Sequence, residues 1–580
     1  MRKLFYIAVA VTGLGACAGD QVVAPNLNDP DVSRVLARPA DLESVIGNSF
    51  GSAYNSAQGA TGGSGVAGSI IPALLTMSFE SSSSLANDGM PRGGLPRSAI
   101  SNNSGNTDNG LATVNYQGSQ RAARTAANGL VQLNTKGFTL GSPQQDLRAR
   151  AFAYFAMAFG NATVAIAYDS LSIVSENDTL TQAPKAFKGG FDAMPIILTQ
   201  MDSAIAAANR AIALGSAPAG AGGGTGFTLP STWISGNAFT ASQFIQMVRG
   251  YKARFRAEVA RTPADRAAVD WTQIIADANA ALPSDLNVDM KTVSPWRVGD
   301  EQHYLFAAWT QQSPMIIGMA DSVRAGCSAG NQGDANAGNC YDAWLATPIG
   351  SRYAFIIRTA DQRFPSGDTR LAQQNNSGAS GSGGAQKPPR ANLYFRNRNV
   401  NDPPGDPWIL SQYDYYRFQN WNDGGRTGPY PIMTRAELDL LAAEGYIRKG
   451  DFTNAMAKIN ITRVANGQLP PLTGITSATQ PIATGAAAGS CVPRVPTGPD
   501  FAHAACGNIM EAMKWEKRME TAFTHLGSWF FDSRGWGDLA EFTPLNYPTP
   551  FQETDVRSMK AWNTGGPGGK DAAVKGTYGY

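Results

Sequence analysis

Residues 435–465 specify two helices and the turn that folds one back on the other, which restricts the chain to architectures built from paired helices. Arg435–Arg448 reads as the first helix, Lys449-Gly450-Asp451 as the turn and Phe452–Ala465 as the second helix. Small Ala455 lets the two helices approach closely, while Tyr446 and Ile459 fill the space beside it. Other segments carry the same helical period. Leu42, Val45, Ile46 and Phe50 mark a helix over 41–50 that opens after Pro39, and a second helix is predicted over 117–133. Over 145–159, Leu147, Ala151, Tyr154, Phe155 and Ala158 share one side, and 192–213 carries Ile196, Ile197, Met201, Ile205 and Ile212. Phe244, Ile245, Val248, Tyr251, Phe255 and Val259 define 241–261, which Thr262-Pro263 ends before a partner helix over 271–282. Strand signals are short, at 354–358 and 391–396.

Tyr446, Ala455 and Ile459 match the spacing of the tyrosine, alanine and bulky apolar positions of a tetratricopeptide unit. The pairs 117–133 with 145–159 and 241–261 with 271–282 repeat the plan loosely, with no constant period. The expected class is therefore mostly α: degenerate tetratricopeptide-like helix pairs with long loop insertions and minor β structure. Runs such as Gly220-Ala221-Gly222-Gly223-Gly224-Thr225-Gly226 and Ser377-Gly378-Ala379-Ser380-Gly381-Ser382-Gly383-Gly384 read as long surface loops rather than linkers between separate domains. One helical domain is expected over 41–580, with an irregular, loop-rich region at about 283–433.

The N-terminus fixes the compartment. Arg2 and Lys3 precede an uncharged apolar run over 4–16, too short to span a bilayer and the right size for a signal-peptide core. The run ends Leu14-Gly15-Ala16-Cys17, which resembles a bacterial lipobox and predicts a signal peptide over 1–16 and lipidation of Cys17. Residues 20–28, with Pro25 and no helical or strand period, read as part of a tether over 17–40. No later segment holds enough unbroken apolar residues for a transmembrane helix, so the expected anchor is lipid alone. The formal net charge of +2 vanishes with Arg2 and Lys3, and no basic stripe exists to neutralise nucleic-acid phosphates. Four cysteines remain besides Cys17. Three pairings are possible, and the local one, Cys327 with Cys340 and Cys491 with Cys506, closes two short loops that have little core of their own. Closing a loop of about 15 residues contributes about 3 kcal/mol when unstrained.

Catalytic patterns find weak support. General acid–base work needs two carboxylates sharing a cleft with their pKa values pushed apart. Glu437, Glu444, Glu516 and Glu520 fall instead on predicted helices beside Arg435 and Arg518, where ion pairs and packing account for them. Gly47-Asn48-Ser49-Phe50-Gly51 satisfies the hydrolase-elbow pattern, but a helical pattern precedes it and a Gly/Ser loop is predicted after it, whereas the elbow needs a strand and then a helix. His303, His503 and His525 are far apart, no C-x-x-C occurs, and Gly569-Lys570 is followed by Asp571, so no zinc or P-loop motif forms. No cofactor is implied.

Four stretches, in order, resemble the SusD/RagB family of outer-membrane nutrient-binding lipoproteins. They are Asn28-Asp29-Pro30-Asp31 with Pro39-Ala40-Asp41-Leu42; residues 148–160, closing on Phe159-Gly160; residues 434–445 with Gly450-Asp451 and 455–463; and Glu516-Lys517-Arg518-Met519-Glu520 followed by Gly527, Asp532 and Arg534-Gly535-Trp536-Gly537. The last block departs from the family pattern at Leu526, Trp529 and Gly535, which marks a divergent member. The resemblance implies a helical scaffold on the outer membrane that captures an oligosaccharide, or in some members a peptide, and acts as a lid on a TonB-dependent transporter of the SusC type. A structural or assembly lipoprotein is the further alternative.

Sugars present apolar C–H faces and polar edges, so their sites combine aromatic rings with amides, carboxylates and arginines. Trp296, Tyr304, Trp309, Tyr341 and Trp344 are candidate ligand residues on that ground, and the family's use of early loops adds Asn87, Asp88 and Arg92. A second aromatic cluster joins Trp408, Tyr413, Tyr415, Tyr416 and Trp421 with Asn420, Asn422 and Asp423. Trp515, Trp529 and Trp536 are assigned to packing, where truncating a buried tryptophan costs about 3–5 kcal/mol.

Overall fold

Side chains that accept the first backbone N–H groups fix where many of the helices begin. Ser142 caps the helix Pro143–Ala167, Thr434 caps Arg435–Arg448 and Asp451 caps Phe452–Ala465. Thr240 and Thr262 each form a capping box, with Gln243 and Asp265. The computed structural model describes residues 38–59, 69–83, 89–178, 185–215, 226–299, 310–313, 319, 357–367, 370–377, 393–397, 413–483, 491–497, 501, 503–524 and 526–579.

The principal helices are α1 (Pro39–Gln58), α2 (Ile71–Met77), α3 (Thr107–Leu130), α4 (Pro143–Ala167), α5 (Gly190–Ala213), α6 (Ala241–Glu258), α7 (Pro263–Ala268), α8 (Trp271–Asn279), α9 (Arg435–Arg448), α10 (Phe452–Ala465), α11 (Ile509–Thr521) and α12 (Ser528–Trp536). They pack in a continuous row: α3 on α4, α4 on α5, α5 on α6, α6 on α8, α8 on α9 and α9 on α10. Helix α1 lies across α3 and α4, α11 backs α9 and α10, and α12 closes on α2, α6 and α7. Among the described residues the strands form two-stranded antiparallel pairs, including Leu286–Met290 with Gly428–Met433 and Phe395–Asn397 with Tyr413–Tyr415. No helix among the described residues is long and apolar enough to cross a membrane.

The core is aromatic where α1, α4 and α6 meet. Phe50 lies 4.9 Å from Phe155 and 5.0 Å from Phe159, ring centre to ring centre, and Tyr251 packs on both. Helix α4 is buried almost all round, as its nearly uncharged sequence after Arg150 requires. A second, smaller core joins Leu440, Ala443, Ala455 and Ile459 with Ile509 and Met513. Ala455 and Ile459 are buried between α9 and α10 as their spacing predicts, and Tyr446 is packed half-buried against both cores.

Several elements differ from the reading of the sequence. Helix α1 runs on to Gln58, so no Gly/Ser loop follows Gly51; alanine, tyrosine and serine carry the helix through, and Gly59 ends it with a left-handed φ of 74°. Helix α3 begins ten residues early and finishes in a π turn, Val131–Thr135. On α5, Ile197 and Met201 are buried but Ile196 and Ile212 face solvent, because α4 and α6 together cover only part of its surface. Residues 357–358 form no strand, and the strand expected at 391–396 is Phe395–Asn397. Cys491 and Cys506 are disulfide-bonded, closing the hairpin of Arg494–Thr497 with His503–Cys506.

The glycine of the Phe159-Gly160 step has a packing reason. A Cβ on Gly160 would sit 2.7 Å from the Ser119 carbonyl oxygen on α3, nearer than two such atoms approach. Gly160→Ala is therefore expected to lower stability by about 1–3 kcal/mol through overpacking, outweighing the helix-propensity gain of up to about 1 kcal/mol. Urea denaturation of the two proteins measures the difference.

Candidate ligand-binding region

The charged residues of the sequence motifs are spent on holding the helices together. Arg254 of α6 grips Glu437 of α9 with both ends of its guanidinium, at 2.8 and 2.7 Å. Arg266 of α7 does the same to Glu444, at 3.0 and 2.7 Å, and reaches Asp532 of α12 at 3.0 Å. Lys517 completes the group by contacting Asp532 at 2.7 Å. All six are buried. A carboxylate held on both oxygens by a guanidinium has no proton to give and no free oxygen with which to take one, so these groups are structural.

Two carboxyls of this network depart from ordinary titration in opposite directions. Burial works against the charge of Glu444, but Arg266, Arg448 and Lys517 overcome it and hold the carboxyl at about 2. Glu258 is buried with its Oε1 unpartnered; burial and the neighbouring charge of Asp532 push it up to about 8, against Arg254 and Lys517. The two signs follow by linkage. The Glu444 contribution is complete above the unfolded value of about 4.3 and is lost as pH falls toward 2. The Glu258 contribution is complete below about 4.3 and is lost as pH rises toward 8.

The described segments between 357 and 415 are tied together by a third arginine. Arg363 binds Asp361 in its own segment at 2.9 and 2.7 Å, and Glu516 of α11 at 2.8 and 3.0 Å. It also reaches Glu520 at 3.2 Å, whose other oxygen accepts the Tyr394 hydroxyl at 2.8 Å. Beside it, the Gln373 carbonyl oxygen accepts from the Tyr413 hydroxyl at 2.7 Å and from Asn397 at 2.9 Å, while its amide nitrogen donates to the Ile357 and Gly367 carbonyls. Segments 357–367, 370–377, 393–397 and 413–415 are thus tied to one another and to α11. Sequence reading missed Arg363, Gln373 and Tyr394, since a lone Asp-x-Arg in a loop carries no pattern that names its distant partners.

Of the candidate ligand residues, Trp296 and Arg92 fall among the described residues. Trp296 is a core ring: the turn closed by Lys291 N–H on the Trp296 carbonyl folds it back over α1, where it stacks on Tyr54 at 5.6 Å and meets Phe50 at 5.7 Å. Arg92 donates to the Ser98 and Ala99 carbonyls at 3.0 and 2.8 Å, bracing its own loop. In the second cluster Tyr413, Tyr415 and Tyr416 are buried, Trp421 packs 4.6 Å from Tyr430, and Asn420 and Asp423 are exposed. Cys17, Asn87, Asp88, Tyr304, Trp309, Cys327, Cys340, Tyr341, Trp344 and Trp408 lie outside the described residues. Trp515, Trp529 and Trp536 are buried, in keeping with packing. Ser49, inside α1, donates its hydroxyl to the Ile46 carbonyl at 2.6 Å, so the elbow pattern has neither its strand nor its turn.

These features define a mostly α scaffold of stacked helix pairs, with short segments between 357 and 415 tied to α11. The sequence matches no protein-family profile, and no curated protein is similar to it. Among solved structures it is similar to a SusD homolog from Parabacteroides distasonis, at 12% identity over 85% of this chain and 84% of that one, with a TM-score of 0.49. A SusD superfamily protein from Bacteroides vulgatus matches at 12% identity over 87% and 89%, with a TM-score of 0.48. NanU of B. fragilis matches at 15% identity over 93% and 99%, with a TM-score of 0.49.

The opposed titrations give a stability profile that calorimetry across pH reads directly. The unfolding midpoint should fall from about pH 4.5 toward pH 2 and decline again between about pH 5 and pH 8. Glu258→Gln should flatten the second decline and leave the first. Glu444→Gln should cost about 3 kcal/mol near neutrality, by leaving Arg266 only Asp532, which Lys517 already shares, and remove that residue's share of the acid limb.

Proposed function

We propose that the chain is a divergent SusD/RagB-like surface lipoprotein that captures nutrient ligands, oligosaccharides first, and passes them to a TonB-dependent outer-membrane transporter of the SusC type. On this reading it performs no catalysis. The signal peptide delivers it across the inner membrane, acyl chains on Cys17 hold it on the outer membrane facing the exterior, and the helical scaffold carries a ligand site among its loops.

The observation that carries the reading is the order of the motif blocks behind a lipobox, joined to what two of those blocks do in the fold. The 434–463 block forms the α9–α10 pair, and the Glu516–Glu520 block clamps the loop-rich region through Arg363. A capture protein needs loops varied enough to fit a ligand and a base rigid enough to position them. A SusD-like carbohydrate binding protein from Bacteroides vulgatus is among the similar structures, in keeping with this reading.

Calorimetric titration of the mature chain against oligosaccharides and peptides tests the cargo. Saturable saccharide binding, weakened about tenfold or more by Trp309→Ala or Trp344→Ala with the fold intact, is the expected outcome. Binding of peptides alone would replace the cargo, and binding of neither would remove the capture reading.

A further inference from the structure

The connection from α4 to α5 and the outer face of α5 enclose an open cleft of about 730 Å3 that is distant in sequence from the loop-rich region. Its volume falls within the roughly 300–1,000 Å3 of small-molecule sites. The apolar part of its lining is the ring of Tyr154 with Ile173 and Ile196, the last 43% exposed on a helix whose other isoleucine at this level, Ile197, is fully buried. The polar part includes Glu176, Asn177 and Gln200, the lysines Lys185 and Lys188, and serine and threonine hydroxyls.

These groups are held in place before any ligand arrives. The Tyr154 hydroxyl donates to Glu176 Oε1 at 3.1 Å and accepts from Asn134 at 3.0 Å. Asn134 sits in the π turn that ends α3, and its oxygen is fixed by Arg150 at 2.9 Å. Single π turns in helices are frequent at functional sites. Gln200 is pinned at both ends of its amide, to the Val174 carbonyl at 2.9 Å and by Asn161 at 3.0 Å. Asp178 locks the loop: it accepts the Ser175 N–H at 2.9 Å and pairs with Arg124 at 2.6 Å and with Lys185.

The chemistry of the lining selects the ligand. An ion would need a cluster of charge of one sign, but the charge here is mixed, with Glu176 set against Lys185 and Lys188 and Lys185 already paired with Asp178. A wholly apolar ligand would strip water from Glu176, Asn177 and Gln200 without replacing it. A pyranose does neither, because its C–H face suits a tyrosine ring and isoleucines while its hydroxyls suit a carboxylate and amides.

We propose that this cleft is a saccharide subsite, with a sugar ring lying against Tyr154 and Ile196 and its hydroxyl edge on Glu176, Asn177 and Gln200. The assignment rests on the glycan-capture reading and adds a place to it. It is tested by titrating the full chain, in detergent, with malto-, cello-, manno- and xylo-oligosaccharides, beside Ile196→Trp, which fills the cleft from an exposed position, and Glu176→Gln, which keeps its shape. Binding about tenfold weaker, or one fewer bound saccharide per chain, in either variant with an unchanged unfolding midpoint is the expected result. Wild-type affinity and stoichiometry in both variants would overturn the subsite and leave glycan capture standing. No saccharide binding by the unaltered chain would overturn both.

Discussion

The structure depends on buried arginines that meet carboxylates from helices far away in sequence. Arg254 with Glu437, Arg266 with Glu444 and Asp532, and Arg363 with Glu516 and Glu520 join four regions of the chain around interiors that admit almost no water. Each ion costs several kcal/mol to bury, and only bidentate geometry with further hydrogen bonds offsets that cost. The pairs therefore act mainly on specificity. A helix packed one turn out of register would strand a charge, so the arrangement of α6, α7, α9, α11 and α12 that satisfies all the pairs at once is strongly favoured over its neighbours. The glutamates of the motif blocks are explained by this duty without any appeal to chemistry on a substrate.

That rigidity gives the loop-rich region a foundation. Arg363 and Gln373 knit short segments into a base, and the Arg363–Glu516 contact transmits the position of α11 to it. The rings of this base, among them Phe364, Phe395, Tyr413 and Tyr415, are consumed by packing. The Tyr154 cleft owes its polar order to the same economy of paired side chains.

Much of the helical layout was legible in the sequence because apolar periodicity and turn residues act locally. Helices α9 and α10 end where Lys449-Gly450-Asp451 and the Tyr446, Ala455 and Ile459 spacing place them, and Gly450 takes the left-handed φ of 76° that the turn requires. Ile196 and Ile212 misled, since an apolar residue on a helix says nothing about which neighbours are present to cover it. Trp296 misled for the opposite reason: a loop composition does not reveal that a turn folds the ring back into the core. Tyr154, which periodicity assigned to a buried face, proves to be half-buried in a cleft, because its hydroxyl is drawn to Asn134 and Glu176. Arg363 was invisible because its partners on α11 lie more than 150 residues away.

We propose that this scaffold works at the cell surface as the capture partner of a transporter. Purification of the full chain from its native membranes, with mass spectrometry of the N-terminal residue and of whatever copurifies, tests that claim most directly. The account predicts an outer-membrane protein beginning at an acylated Cys17 and bound to a TonB-dependent transporter. A chain recovered from soluble fractions with Cys17 unmodified, and with no transporter beside it, would contradict it.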